Sequence, residues 1–245
     1  MKIEGSVVIV TGASSGIGAA TARAASAAGA RVVLAARRED RVRELAGQLE
    51  GAIAVRCDVT DVLQVTALVQ AAIEAFGRID ILVNNAGQGL QAEMEAISLD
   101  DFRGVLELNL VAPLAMMQAV LPIMRRRGAG AIVNVSSGTT FADVPGTGGY
   151  VASKIALERL SAIARNELEG SGITVSTMIP FATRTEFLSS IRAGRADAEA
   201  MTAGAAFDEP ERVAEAILEL VESGEPQLDL VPAAYGGTNR GGEPR

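Results

Sequence analysis

The stretch Val7–Gly18, V-V-I-V-T-G-A-S-S-G-I-G, limits the folds open to this chain more than any other. Four apolar, mostly β-branched residues, Val7 to Val10, predict a strand buried on both faces. A glycine-rich turn follows at once, and the Ala-rich run Ala19–Gly29 reads as a helix. Gly12, Gly16 and Gly18 remove side chains where the backbone must turn tightly, approach a ligand and pack helix on strand. The helix start offers unpaired N–H groups and a positive dipole end, which suit a pyrophosphate. This order of strand, glycine turn and helix predicts a dinucleotide-binding βα unit.

The rest of the chain continues the alternation. Arg31–Ala36 reads as a second strand, and Arg37-Arg38-Glu39-Asp40 opens a polar helix to about Leu49. Ile53–Asp58 is a third strand, and Val62–Phe76 has helical periodicity. Ile79–Val83 is a fourth strand ending in Asn84-Asn85-Ala86-Gly87, Ala131–Val135 a fifth ending in Ser136-Ser137, and Ile173–Met178 a sixth. A helix starts near Leu99, a long one runs from about Tyr150 to Leu168, and Gly172 closes it. Asp208-Glu209-Pro210-Glu211 looks like a helix start with Asp208 as cap, continuing to about Glu222, and Leu228–Val231 a last strand. Glu186–Phe207, rich in Ala, Gly, Ser and charge, is read as a mobile substrate lid, and the tail from Gly236 as a frayed end. Repeating βαβ units predict one α/β domain over residues 1–245, a doubly wound Rossmann-type parallel sheet with helices on both faces.

Composition narrows the chemistry. Of the 245 residues, 22 Lys and Arg against 30 Asp and Glu give a net charge of −8, which argues against a broad nucleic-acid surface. There is no histidine, so His-based triads and H-E-x-x-H zinc sites are excluded and no metal is expected. Proton chemistry falls to Tyr, Lys, Ser or carboxylates. One cysteine, Cys57, rules out an intrachain disulfide and fits a cytoplasmic setting. Met1-Lys2-Ile3-Glu4 runs into the first strand with no signal peptide expected. The apolar stretch Leu108–Met124 holds Asn109, Pro113, Gln118 and Pro122, and reads as a buried helix and not a membrane span.

The sharpest constellation is Ser137, Tyr150 and Lys154. Tyr150 and Lys154 are four apart on a predicted helix and share a face. A free tyrosine, with a pKa of about 10, exchanges protons poorly near neutrality; a neighbouring ammonium is expected to lower it. Ser137 ends a parallel strand, where α/β sheets place ligands. Its hydroxyl would orient a carbonyl beside Tyr150, whose proton would quench the alkoxide. Singly, each is ordinary: a packed tyrosine, a solvated lysine, a loop serine.

T-G-A-S-S-G-I-G, C-D-V-T, N-N-A-G, N-V-S-S and Y-V-A-S-K, in this order and spacing from Val7 to about Glu186, resemble the short-chain dehydrogenase/reductase family. The resemblance implies a seven-stranded sheet, a nicotinamide cofactor, and a catalytic tetrad of Asn109, Ser137, Tyr150 and Lys154. Asn109 would position a proton-relay water, and Lys154 would also hold the nicotinamide ribose. Cofactor binding would involve Gly12, Ser14, Ser15, Gly16, Ile17, Gly18, Asp58, Val59, Asn85, Ala86, Gly87, Tyr150, Lys154, Pro180, Thr183 and Thr185. The family pairs helices across two-fold axes, so a homodimer or homotetramer is expected. One departure stands out: the family has Pro-Gly after strand six, and this chain has Pro180-Phe181.

Cofactor type is read from the end of strand two. NAD sites often place an acid there for the ribose 2′-hydroxyl. Here the position is Ala36, followed by Arg37-Arg38, and guanidinium groups suit a 2′-phosphate. The expected cofactor is therefore NADP(H), read chiefly by Arg37, with Arg38, Ser14 and Ser15 assisting. The expected function is interconversion of a ketone or aldehyde and an alcohol. The alternative is a catalytically silent dinucleotide-binding regulator, for which Phe181 is the only support.

Overall fold

A computed structural model gives the structure, which describes residues 1–201 and 207–238. Seven strands form one parallel sheet in the order β3-β2-β1-β4-β5-β6-β7. They are β1 (Val7–Thr11), β2 (Arg31–Ala36), β3 (Ile53–Arg56), β4 (Ile81–Asn84), β5 (Gly130–Val135), β6 (Ile173–Ile179) and β7 (Gln227–Asp229). Between them run α1 (Gly16–Ala27), α2 (Glu39–Ala46), α3 (Val62–Phe76), α4 (Leu99–Leu106), α5 (Ala112–Arg127), α6 (Gly148–Glu167), α7 (Arg195–Met201) and α8 (Pro210–Ser223). The doubly wound expectation holds.

The central strands are apolar without a break because both faces are covered. Their alternation still sorts side chains into two cores. Val8, Val10, Leu34, Val133 and Met178 pack with Val213 and Ile217 of α8. Ile9, Val33, Leu82 and Ile132 pack with Leu68 of α3 and Met116, Val120 and Met124 of α5. By length and composition the continuous helical run Leu99–Arg127 could cross a membrane, but α5 puts these methionines and Val120 into the core.

At the N-terminal edge of the sheet, Asp80 acts as a clasp. Its carboxylate accepts from the Val7 N–H at 2.8 Å and from Nε and Nη2 of Arg78, each at 2.7 Å. Arg127 at the end of α5 lies 3.3 Å away, and the Asp80 carbonyl accepts from Ala131 N–H. Through its carboxylate and its carbonyl, Asp80 thus ties the starts of β1, β4 and β5 together, and its charge is answered by two guanidinium groups.

Several boundaries differ from the sequence reading. β4 starts two residues later and includes Asn84, which pairs in register with Asn134. β7 ends at Asp229 because that carboxylate accepts the Val231 N–H and turns the chain. Asp208 does not cap α8; Glu209 precedes the helix without a side-chain cap bond. The Asp208 backbone is held between Ala182 and Arg184, and its carboxylate pairs with Arg212. The tail is anchored through Thr238, whose N–H and hydroxyl both donate to Asp229; residues 239–245 of the expected frayed end lie outside the described residues. In the expected lid, residues 202–206 also lie outside them. Its first part is tied to the loop after β4: Gln88 Nε2 donates to the Ser190 carbonyl at 2.6 Å, Arg192 N–H to Gly89, and Gln91 N–H to Ala193.

Candidate active site

Every residue picked out for chemistry lies at or beyond the carboxyl ends of the strands, where a parallel sheet with helical crossovers leaves a crevice. At β1 the glycine turn leads into α1. Gly16 has φ +52°, and a Cβ there would lie 2.8 Å from the Thr185 methyl group. A Cβ on Gly18 would come within 2.4 Å of the Gly12 carbonyl oxygen. Only glycine fits either position.

The α1 N-terminus has no side-chain cap bond and no acid in its first turn, whereas α3 is capped by Asp61 and α4 by Ser98. Ser15, the residue that would cap α1, receives Arg38 Nη2 at 2.7 Å instead. The helix therefore keeps N–H groups and its dipole for an anion. This glycine cradle and uncapped helix fit the pyrophosphate of a dinucleotide.

The neighbouring loops are held by short polar contacts. The Thr11 hydroxyl accepts the N–H groups of Asn85 and Ala86, at 3.0 and 3.1 Å, while Asn85 Nδ2 donates to the Thr11 carbonyl at 3.0 Å. Asp58 accepts from the N–H and hydroxyl of Thr60, and Val59 beside it is buried. Thr11 was invisible as a site residue because it reads simply as the end of a strand.

At the other half of the crevice, α6 carries Tyr150 and Lys154, both buried, and Ser137 follows β5. The Ser137 hydroxyl is the polar neighbour that acts on the Tyr150 phenol, and it receives the Thr139 hydroxyl at 3.0 Å. Lys154 Nζ donates to the Val135 carbonyl at 2.9 Å and lies 5.9 Å from the Tyr150 ring centroid. The expectation that Lys154 lowers the tyrosine pKa fails for this state. Burial pushes the phenol up to about 12, and Ser137 is the only neighbour acting in the other direction. Lys154 is itself pushed down to about 8 by burial, partly offset by the negative charge of Glu158. Desolvation outweighs a charge several ångströms away.

Asn109 sits in a π-helical turn, Glu107–Val111, between α4 and α5. Single π-helical turns of this kind occur frequently at functional sites. Its Oδ1 accepts the Gln88 N–H at 2.9 Å; its Nδ2 donates to the Gln88 carbonyl at 2.9 Å and to Ser153 Oγ at 3.0 Å. Ser153 in turn donates to the Tyr150 carbonyl at 2.6 Å. The asparagine side chain is fully engaged in fixing the loop and the first turn of α6. Gly87 lies between Asn109 and Lys154, where a Cβ would be 3.2 Å from Oδ1 and 3.4 Å from Nζ.

Pro180, Thr183 and Thr185 follow β6. Phe181 needs no glycine-like backbone, since among the described residues positive φ is confined to glycine. Its ring packs on Tyr235, with centroids 5.3 Å apart, and beside Gly138. Thr183 donates its hydroxyl to the Phe181 carbonyl, and Thr185 accepts the Phe187 N–H. Phe187 lies against Tyr150, centroids 5.7 Å apart, and joins a small apolar cluster with Leu90 and Val105.

At the end of β2, Arg37 is exposed and Arg38 is the guanidinium tied to the glycine turn. Its Nε and Nη2 donate to Ser14 Oγ at 3.0 and 2.8 Å. The assisting residue of the sequence reading is thus the one in contact with both serines.

This combination of a parallel seven-stranded sheet, glycine turn, and serine, tyrosine and lysine at one crevice matches a known class. The family model for short chain dehydrogenases matches residues 6–196. A D-threitol dehydrogenase from Mycolicibacterium smegmatis is 39% identical over 189 residues, covering 76% of this chain and 73% of that protein. A Burkholderia phymatum short chain dehydrogenase/reductase solved with NAD superposes with a TM-score of 0.90 at 27% identity, covering 96% of this chain and 92% of that one. An alcohol dehydrogenase from the archaeon Thermococcus sibiricus, solved with 5-hydroxy-NADP, gives a TM-score of 0.80 at 28% identity, covering 93% and 96%. The chain belongs to the short-chain dehydrogenase/reductase family and is an oxidoreductase of that family.

Proposed function

We propose that this protein is an NADP(H)-dependent oxidoreductase interconverting a ketone or aldehyde and an alcohol. The observation that carries the reading is the meeting of Ser137, Tyr150 and Lys154 at the mouth of the crevice that begins at the glycine turn. The nicotinamide, when bound, supplies or accepts the hydride. Ser137 orients the substrate oxygen. Tyr150, neutral near pH 7, gives its proton to the developing alkoxide and takes one back in the reverse direction. Lys154, one helical turn on from Tyr150 and anchored on the Val135 carbonyl, would hold a ribose hydroxyl of the cofactor. Asn109 acts as a positioning residue, through Gln88 and Ser153. The expected lid, with Phe187 against Tyr150, forms the substrate side.

The test is consumption of NADPH with a panel of ketones and aldehydes. The panel should include small ketoses, because one relative is named D-threitol dehydrogenase. Tight cofactor binding with no turnover across the panel would favour the silent regulator instead. That alternative rested on Phe181, whose ring has an ordinary packing role against Tyr235.

The preference for NADP(H) is supported by Ala36, which gives a ribose hydroxyl no acceptor, by the Arg38 guanidinium on the Ser14 and Ser15 hydroxyls, and by the exposed Arg37 next to it. A charged hydrogen bond contributes about 1.5–3 kcal/mol net, so NADPH should bind about 10–150-fold tighter than NADH. Ala36→Asp is expected to reverse the order, because the carboxylate repels the phosphate and accepts from the ribose of NADH. Dissociation constants for both cofactors in both proteins decide it; equal wild-type values reject the preference.

We further infer a homodimer or homotetramer. Val111 and Leu114 on the long helical run, and Ile155 and Ile163 on α6, are 36–49% exposed on neighbouring elements. Large apolar side chains grouped in this way favour burial against a second copy. Light scattering is expected to give a multiple of 25.3 kDa; a concentration-independent monomer rejects the assembly. The single cysteine, buried and free, supports a cytoplasmic setting.

A further inference from the structure

Glu186 reaches across from the segment after β6 to the end of β2, some 145 residues away in sequence. One carboxylate oxygen accepts Arg38 Nη1 at 2.7 Å, and both oxygens accept Arg41 Nη1 at 2.8 Å. The other edge of the Arg38 guanidinium is on the Ser14 and Ser15 hydroxyls. An anion is therefore already seated between two guanidinium groups, next to two hydroxyls, beside the glycine turn. Hydrogen bonds from Arg41 and Arg38 hold this carboxyl below the usual carboxylate range, so it is ionised near neutrality.

We propose that the Glu186 carboxylate is an internal substitute for the 2′-phosphate of NADP(H), which must displace it from Arg38 and Arg41 in order to bind. The proposal rests on the NADP(H) reading above and adds to it a residue that sets how strongly the phosphate is preferred. The chemistry favours exchange. A phosphate monoester carries close to two negative charges at pH 7 and three acceptor oxygens, against one charge and two oxygens on a carboxylate. Arg38, Arg41 and Glu186 are 43–48% exposed, so the internal pairing is weak enough to give way. An unphosphorylated dinucleotide has no anion at this point and leaves the pairing intact. Glu186 thus subtracts from the affinity for the phosphorylated form alone. The exchange also reaches the reacting end of the crevice, because the adjacent residues are Thr185, packed on Gly16, and Phe187, packed on Tyr150.

The test uses 2′,5′-ADP and 5′-AMP as probes, which differ only in the 2′-phosphate, titrated calorimetrically into wild type, Glu186→Gln and Glu186→Ala. The expected result is that both variants bind 2′,5′-ADP about 3–10-fold more tightly than wild type, with 5′-AMP within about twofold, as suits the loss of an exposed ion-pair competitor. A wild type that prefers 2′,5′-ADP, with variants that leave this preference unchanged or reduce it, overturns the competition and leaves the cofactor reading standing. No preference in any of the three proteins overturns both. A preference that emerges only in the variants supports the competition at its strongest.

Discussion

Tyr150→Phe is expected to fold, to bind NADPH within about threefold of wild type, and to reduce carbonyl substrates about 10²–10⁴-fold more slowly. The ring keeps its contacts with Phe187 and with the cluster containing Leu90 and Val105. Only the phenolic oxygen is lost, and with it the proton that must reach the substrate oxygen as hydride arrives. General acid–base groups contribute rate factors of that size. Burial pushes the phenol up to about 12 in the free protein, so the proton it would give is in place at neutrality. Losses should fall on kcat, since the oxygen's contribution develops in the transition state. A variant retaining more than half of the wild-type turnover would remove Tyr150 from the chemistry.

Lys154→Met should abolish most activity and, in the same protein, raise thermal stability at pH 7. The ammonium is buried, and its pKa is depressed from 10.5 to about 8. Below pH 8 both the folded and unfolded chains carry the charge, and the folded state bears its full desolvation cost. Between about pH 8 and 10.5 the unfolded chain holds more protons, so wild-type stability rises with pH and the penalty fades. A shift of this size corresponds to about 3 kcal/mol. The hydrogen bond to Val135 recovers part of that, leaving a net gain for methionine of about 1–3 kcal/mol. Denaturant midpoints for both proteins at pH 7 and pH 9.5 test this, with circular dichroism to establish the fold. The methionine advantage should shrink at the higher pH. An advantage that grows with pH, or a methionine variant less stable at pH 7, would show that the site solvates its lysine better than burial implies.

Much of the scaffold was legible because its determinants are local. Val7–Val10 and Ile132–Val133 are apolar without alternation, and only doubly covered strands are so. The glycine turn was legible because two of its positions tolerate no Cβ. Ser137, Tyr150 and Lys154 were picked out through motif spacing together with the expected strand end and helix, and the structure places them on that strand end and helix. Tertiary context accounts for the rest. Asp208 looked like a cap, but strand-like hydrogen bonds to Ala182 and Arg184 took its backbone. Asn109 was found by motif; its anchoring of Gln88 depends on a π turn that no propensity encodes. Glu186 and Arg41 were missed because their partnership joins the start of α2 to the chain beyond β6. Phe181 looked anomalous until Tyr235 supplied its packing partner.

The Asp80 clasp has a consequence for how this protein can change over evolutionary time. It joins β1, β4 and β5 at the sheet edge opposite the crevice, using Arg78, Arg127 and the Val7 amide, none of which touches Ser137, Tyr150 or the glycine turn. Framework integrity and the serine, tyrosine and lysine group therefore draw on separate sets of residues. Loops after β4, β5 and β6 can change without loosening the clasp, and relatives that differ in those loops are expected to retain the Arg78–Asp80 pair.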